Sequence, residues 1–232
     1  MVHIEKVSEE TFRDVIRLKV AKKQENYVAE NVCSLAQAWL YDEARPFAVL
    51  DDDTVVGFLM LDWDEDERTV GIWRFMIGEA YQRKGYGREA IRLAIEMIKE
   101  TGYFDLIHLD YVEGNRVARE LYASFGFREN GEIEDGEIVM TLPITDTPRV
   151  GMLPADEEDV EQLLGYLTKD GEAGFPSEKE MRKAAKEKRM TRFTLYGETI
   201  GIVIDGHFRL RKKFASYETE AKEVYAKKSG IV

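Results

Sequence analysis

Gln82-Arg83-Lys84-Gly85-Tyr86-Gly87-Arg88 decides how this chain is read. Thr69 to Ile77 before it reads as a strand; after it Ile91, Leu93, Ala94, Ile95, Met97 and Ile98 form a helical pattern that stops at Gly102. Glycines between a strand and a helix let the backbone turn sharply and leave its N–H groups pointing outward. The helix N-terminus adds partial positive charge, so such a turn suits a pyrophosphate. Arg83, Lys84 and Arg88 add cationic side chains. Two glycines alone fit a plain helix cap on a surface turn equally well.

Further support lies about 30 residues on, in Glu113-Gly114-Asn115-Arg116-Val117-Ala118-Arg119-Glu120-Leu121-Tyr122-Ala123-Ser124-Phe125-Gly126-Phe127. Asn115 takes the N-cap position of a helix. Tyr122 follows seven residues later, two turns along the same face, so both can border one groove.

Around these blocks the pattern is regular. Ser8 to about Lys22 reads as a capped amphipathic helix and Ser34 to Asp42 as a second. Phe47–Leu50 and Val55–Leu61 form a hairpin across Asp51-Asp52-Asp53, with a first strand at His3–Lys6. Leu106–Tyr111 is a strand, Asn115–Phe125 a helix, and Glu132–Leu142 a hairpin bending at Glu134-Asp135-Gly136. The fold class is therefore α/β around a mixed sheet. The domain reading is 1–144, a linker over 145–154 in a stretch holding three of the five prolines, and a small α+β domain over 155–232. In that second domain helices are expected at Asp156–Leu167, Ser177–Lys188 and Ser216–Lys228, with a hairpin Phe193–Ile204 turning at Gly197.

Charge is uneven. Residues 1–145 hold 17 Lys and Arg against 29 Asp and Glu, while 146–232 hold 16 of each, so the net charge of −12 belongs to the first part. Such a field disfavours nucleic acid and attracts cations. No run approaches the ~20 apolar residues of a bilayer span and MVHIEKVSEE has no apolar signal core, which makes no membrane association and a cytoplasmic location the expectation. One cysteine, Cys33, and scattered His3, His108 and His207 share no ligand spacing, so no metal is expected. Cys33 reads as a small packed residue of the second helix.

With its two blocks in this order, the chain resembles the GNAT superfamily of acetyl-CoA-dependent N-acetyltransferases. Residues 1–145 are similar to the bacterial spermine/spermidine (diamine) N-acetyltransferases, on Gln24-Glu25-Asn26-Tyr27-Val28-Ala29-Glu30-Asn31, Cys33-Ser34-Leu35-Ala36-Gln37-Ala38 and Trp73-Arg74-Phe75-Met76-Ile77. The resemblance says nothing of 146–232. It implies a GNAT-like fold whose fourth and fifth strands splay apart, with the pantetheine arm of acetyl-CoA along Phe75, Met76 and Ile77. The pyrophosphate would lie on the turn Gln82, Arg83, Lys84, Gly85, Tyr86, Gly87 and Arg88, and Asn115 would hydrogen-bond the arm. The acceptor implied is a primary amine of a polyamine, the other readings being a different amine or a non-catalytic acetyl-CoA sensor; a homodimer is a further expectation.

Such a transfer poses two proton problems. An alkylammonium has a pKa of about 10.4, so freeing its lone pair at pH 7 costs on the order of 4–5 kcal/mol. Glu25, Glu30 and Glu113 are the candidate bases, directly or through water. The departing thiolate needs an acid, and the phenol of Tyr122 can protonate it; a buried aromatic beside Leu121 is the alternative. Glu25, Glu30 and the acidic run Asp62–Glu67 are candidates to gather an amine's distal charges, and Arg74, out of step with its apolar strand, to pair with a carboxylate of the Glu25–Glu30 loop and shape the pocket. The basic clusters Arg182-Lys183, Lys188-Arg189 and Arg209–Lys213 suit docking, anion binding or plain solvation.

Overall fold

The computed structural model describes residues 1–229. The chain divides into two compact units, Met1–Asp64 with Thr69–Thr145, and Glu65–Arg68 with the residues from Asp146 onward.

The first unit is a seven-stranded sheet flanked by four helices. Its strands are β1 (Val2–Lys6), β2 (Ala44–Asp51), β3 (Thr54–Asp64), β4 (Thr69–Ile77), β5 (Leu106–Val112), β6 (Arg128–Glu134) and β7 (Glu137–Pro143). They lie in the order β1-β2-β3-β4-β5-β7-β6, and β4–β5 is the one parallel pair. Helices α1 (Glu9–Arg17) and α2 (Asn31–Leu40) pack with Ala48, Phe58, Met60 and Met76. Helix α3 (Tyr86–Glu100) packs its buried Ala90, Ile91, Ala94, Ile95 and Ile98 with Leu59, Val70, Ile107 and Leu109, in the cluster that α4 (Arg116–Ala123) joins through Tyr122.

Two irregularities open the sheet. Met60 pairs with Arg74 and Leu61 with Ile72, so Trp73 is an extra residue, a β-bulge. β4 and β5 pair only over Thr69–Gly71 and Leu106–His108. Beyond Gly71 the two strands part, while β3 and β7 remain hydrogen-bonded to their outer flanks.

The second unit is a four-stranded sheet, β11-β10-β9-β8, made of β8 (Gly151–Pro154), β9 (Met190–Leu195), β10 (Glu198–Ile204) and β11 (His207–Leu210), with helices α5 (Glu157–Asp170), α6 (Glu178–Lys186) and α7 (Glu218–Lys228). Arg211, 1% exposed, is held by Asp170, by Glu198 at 2.6 Å, and by the ring of Tyr166 at 4.5 Å.

Several expectations need correction. The stretch 145–154 is not all linker, because Gly151–Pro154 pairs with β9. Strand β11 was not anticipated from the sequence. α1 stops at Arg17 and α2 begins at Asn31, with Glu30 as its N-cap. Cys33 is exposed, not packed. The basic clusters are largely neutralised within the unit: Arg182 pairs with Glu178, Arg189 with Glu187 and Asp205, and Lys213 with Glu198. In the acidic run, Asp66 holds Lys228 and Glu67 holds Arg192.

Candidate active site

Where β4 and β5 part, a cleft of about 870 Å³ opens. Its walls are Ile72–Ile77 of β4, Asp110–Val112 of β5, the loop Lys23–Ala29, the start of α4, and Glu137 at the head of β7. A half-paired strand pair leaves backbone N–H and C=O groups along both inner edges, which a linear amide-bearing ligand can satisfy as an added strand would.

At one end stands the glycine turn. Arg83 (φ 63°) and Gly85 (φ 90°) adopt left-handed backbone, and Gly85 caps α3 with open space where a Cβ would stand. The first N–H bonded back within α3 is that of Glu89, to the Gly85 carbonyl at 3.1 Å, which leaves those of Tyr86, Gly87 and Arg88 unspent. Three free donors at a positive helix end fit a diphosphate. Tyr86 contributes only backbone, since its hydroxyl donates to Asp51 at 2.7 Å. Gln82 donates to the Ile77 carbonyl at 3.0 Å and to Gln24 at 2.9 Å, pinning the loop to the end of β4. Lys84 and Arg88 lie over the rings of Tyr81 and Phe125.

Asn115 caps α4 by accepting from the Ala118 N–H at 3.3 Å, and its amide NH₂ makes no hydrogen bond among the described residues. Tyr122 is only 7% exposed, and its ring meets Phe127 edge-on at 6.0 Å. It lines the cleft, and its hydroxyl has no hydrogen-bond partner among the described residues. Burial, reinforced by the negative charge of Glu137, raises its pKa above the ordinary phenol value.

Of the candidate bases only Glu25 lines the cleft. Glu30 is exposed and bonded to Lys19 at 2.8 Å, which holds its carboxyl below the usual range, and Glu113 stands exposed in the β5–α4 turn. Arg74 reaches no carboxylate of the Glu25–Glu30 loop. It donates to the Trp73 carbonyl at 2.8 Å and lies over the Trp73 ring, its Nε is buried without a partner, and Glu137 is the main carboxylate acting on its charge. His108 packs over Gly71, where burial lowers its pKa.

The residues missed from the sequence are Asp110 and Glu137. Asp110 is open to solvent through the cleft mouth, yet desolvation by the walls, then Glu134, Glu137 and Asp135, push its carboxyl up to about 6. A lone carboxylate among Leu106, Ile107, Leu109 and Tyr111 of this strand was the available signal. Among the described residues no group of three or more His, Cys, Asp or Glu is placed to hold a metal, and no helix is long and apolar enough to cross a membrane.

A splayed parallel strand pair, a glycine turn with free amides at one end and an unpartnered phenol deep in the gap define an acyltransferase that works on a coenzyme A thioester. The chain matches the acetyltransferase (GNAT) family over residues 9–127. It is 31% identical over 146 residues, 60% of this chain and 96% of the relative, to a spermine/spermidine N(1)-acetyltransferase of Bacillus subtilis. In fold it is similar to a Vibrio cholerae spermidine N-acetyltransferase solved with CoA and spermine (TM-score 0.52, 19% identity, 61% of this chain and 95% of that one). An aminoglycoside acetyltransferase solved with coenzyme A and kanamycin gives a TM-score of 0.54 at 16% identity, covering 62% and 95%. The chain belongs to the GNAT family and is an acetyl-CoA-dependent N-acetyltransferase.

Proposed function

We propose that the enzyme acetylates a primary amine of a polyamine or diamine such as spermidine or spermine, by direct attack in a ternary complex. The observation that carries this reading is the pair of carboxylates Asp110 and Glu137 in the cleft wall, neither in an ion pair among the described residues. They suit a cation and repel a carboxylate-bearing acceptor. The named relatives among polyamine acetyltransferases support the same acceptor class.

Acetyl-CoA, when bound, supplies an acetyl group activated by a thiol leaving group. The amides of Tyr86, Gly87 and Arg88 hold its diphosphate, and the inner edge of Phe75–Ile77 together with the Asn115 amide orients the arm. Tyr122 stays protonated at neutral pH and gives its proton to the departing sulfur. The amine must lose a proton before attack, and Glu25 is the one of the three bases read from the sequence that borders the cleft, acting directly or through water.

Thiol release from acetyl-CoA is measured with spermidine, putrescine, lysine and an aminoglycoside. Turnover with the first two at a kcat/KM at least about tenfold above the others supports the reading. Preference for lysine or the aminoglycoside overturns the polyamine acceptor, and no release with any of them overturns catalysis itself.

A further inference from the structure

The strand register places the two unassigned carboxylates. Asp110 stands opposite Val139 and Val112 opposite Glu137. Asp110 and Glu137 are therefore diagonal neighbours on one face of the β5–β7 pair, with backbones about 7–8 Å apart. Residues two apart along each strand share that face, so both carboxylates look into the cleft that they line.

They are not equivalent. The charge of Glu137 reaches Tyr122 on α4, Arg74 on β4 and Asp110 on β5. Asp110 has only acidic neighbours acting on it, Glu137 together with Glu134 and Asp135 of the β6–β7 turn. Glu25 of the loop adds another carboxylate to the lining. On the β5–β7 face itself the charged side chains of the lining are the two carboxylates; Arg74 acts on Glu137 from β4, and Lys23, Arg83 and Arg116 line the cleft elsewhere. The nine-tenths-buried phenol of Tyr122, its hydroxyl unpartnered, marks the end of the wall at which the reacting atoms belong.

Resting on the polyamine reading above, we propose that this wall is a two-point seat for a diammonium acceptor: Glu137 holds the reacting nitrogen beside Tyr122, and Asp110 holds the second nitrogen of the same molecule. The seat selects for an acceptor with two ammonium groups separated by a short alkyl chain. A monoamine fills only the Glu137 position. An amino acid would bring its carboxylate against Asp110.

The test compares putrescine with butylamine, which has the same four-carbon chain and one charge. Each is titrated calorimetrically into the full-length protein saturated with coenzyme A and then assayed with acetyl-CoA, for wild type, Asp110→Asn, Asp110→Glu and Glu137→Gln. Losing one charge-assisted contact predicts that Asp110→Asn weakens putrescine about 10- to 100-fold in both Kd and KM, and butylamine far less. Asp110→Glu should recover most of the loss, and Glu137→Gln should weaken both amines. Equal effects of Asp110→Asn on the two amines, or none on either, overturn the seat while leaving polyamine acetylation standing. If wild type neither binds nor acetylates putrescine or spermidine while acetylating another amine, the polyamine reading fails and the seat with it. Melting curves of each variant show whether the fold is kept.

Discussion

Replacing Tyr122 by Phe removes one oxygen and nothing else. The ring keeps its edge-on contact with Phe127 at 6.0 Å, and no buried donor or acceptor is orphaned, because the hydroxyl has no protein partner among the described residues. Stability should therefore change by less than about 1 kcal/mol. A general acid contributes about 10²- to 10⁴-fold, which at 1.36 kcal/mol per decade is roughly 2.7–5.4 kcal/mol of barrier. Thiol release by Tyr122→Phe should accordingly show kcat lowered about 100- to 10,000-fold, with coenzyme A affinity by calorimetry within about threefold of wild type. The sign of the phenol's shift adds a second check. Burial raises its pKa, so the proton is in place throughout the neutral range and any alkaline loss of kcat caused by this group lies above the ordinary phenol value of about 10. A variant whose kcat stays within threefold of wild type would refute the assignment.

Two further outcomes follow from particular residues. Gly85 stands at φ 90°, whereas a Cβ on Gly87 would meet Ile77, Leu121 and Phe75 at ordinary distances of 3.6–3.8 Å; Gly85→Ala should lose about 1–2 kcal/mol in thermal melting, and Gly87→Ala should melt near wild type while raising KM for acetyl-CoA. Asp110 has its folded pKa raised to about 6 from 3.8, so the native state binds a proton more tightly and stability falls as pH rises between these values. Asp110→Asn should stabilise the protein at pH 7–8 by about 1 kcal/mol after solvent screening, with the gain vanishing near pH 4. A gain that persists unchanged at pH 4 would exclude Asp110 as its source.

What the sequence made legible depends on whether the signal was local. The turn Gln82–Gly87, the cap at Asn115 and the two-turn spacing to Tyr122 are local, and all lie along one cleft wall or its end. Glu30 and Glu113 lie outside the cleft lining because a carboxylate's position in the chain says nothing about its direction; one turns to Lys19 and the other to solvent. Asp110 and Glu137 were out of reach for the converse reason. They meet only through the β5–β7 register, which is fixed by the pairing of strands that begin at Leu106 and at Glu137. Strand β8 was masked by its one proline, because Pro154 at its end looked like linker and the pairing with β9 is long-range.

The gap itself traces to a break in alternation. Val70 and Ile72 face α3, and a strict two-residue period would next send Arg74 and Met76 to that side. Instead Phe75 and Ile77 pack there, while Met76 joins the α1–α2 cluster with Trp73 beside it. One extra residue between Ile72 and Arg74 accounts for the change of parity, and the register shows it at Trp73. The added twist of a bulge turns β4 away from β5 just past their last pair, Gly71–His108. The same parity change puts Phe75 and Ile77 on the α3 side, where the glycine turn offers its amides. It puts Arg74 on the opposite side, where the charge of Glu137 reaches it. On the proposed reading a coenzyme arm and an amine would approach one gap from opposite faces of a single sheet, with Tyr122 packed in the cluster on the α3 side.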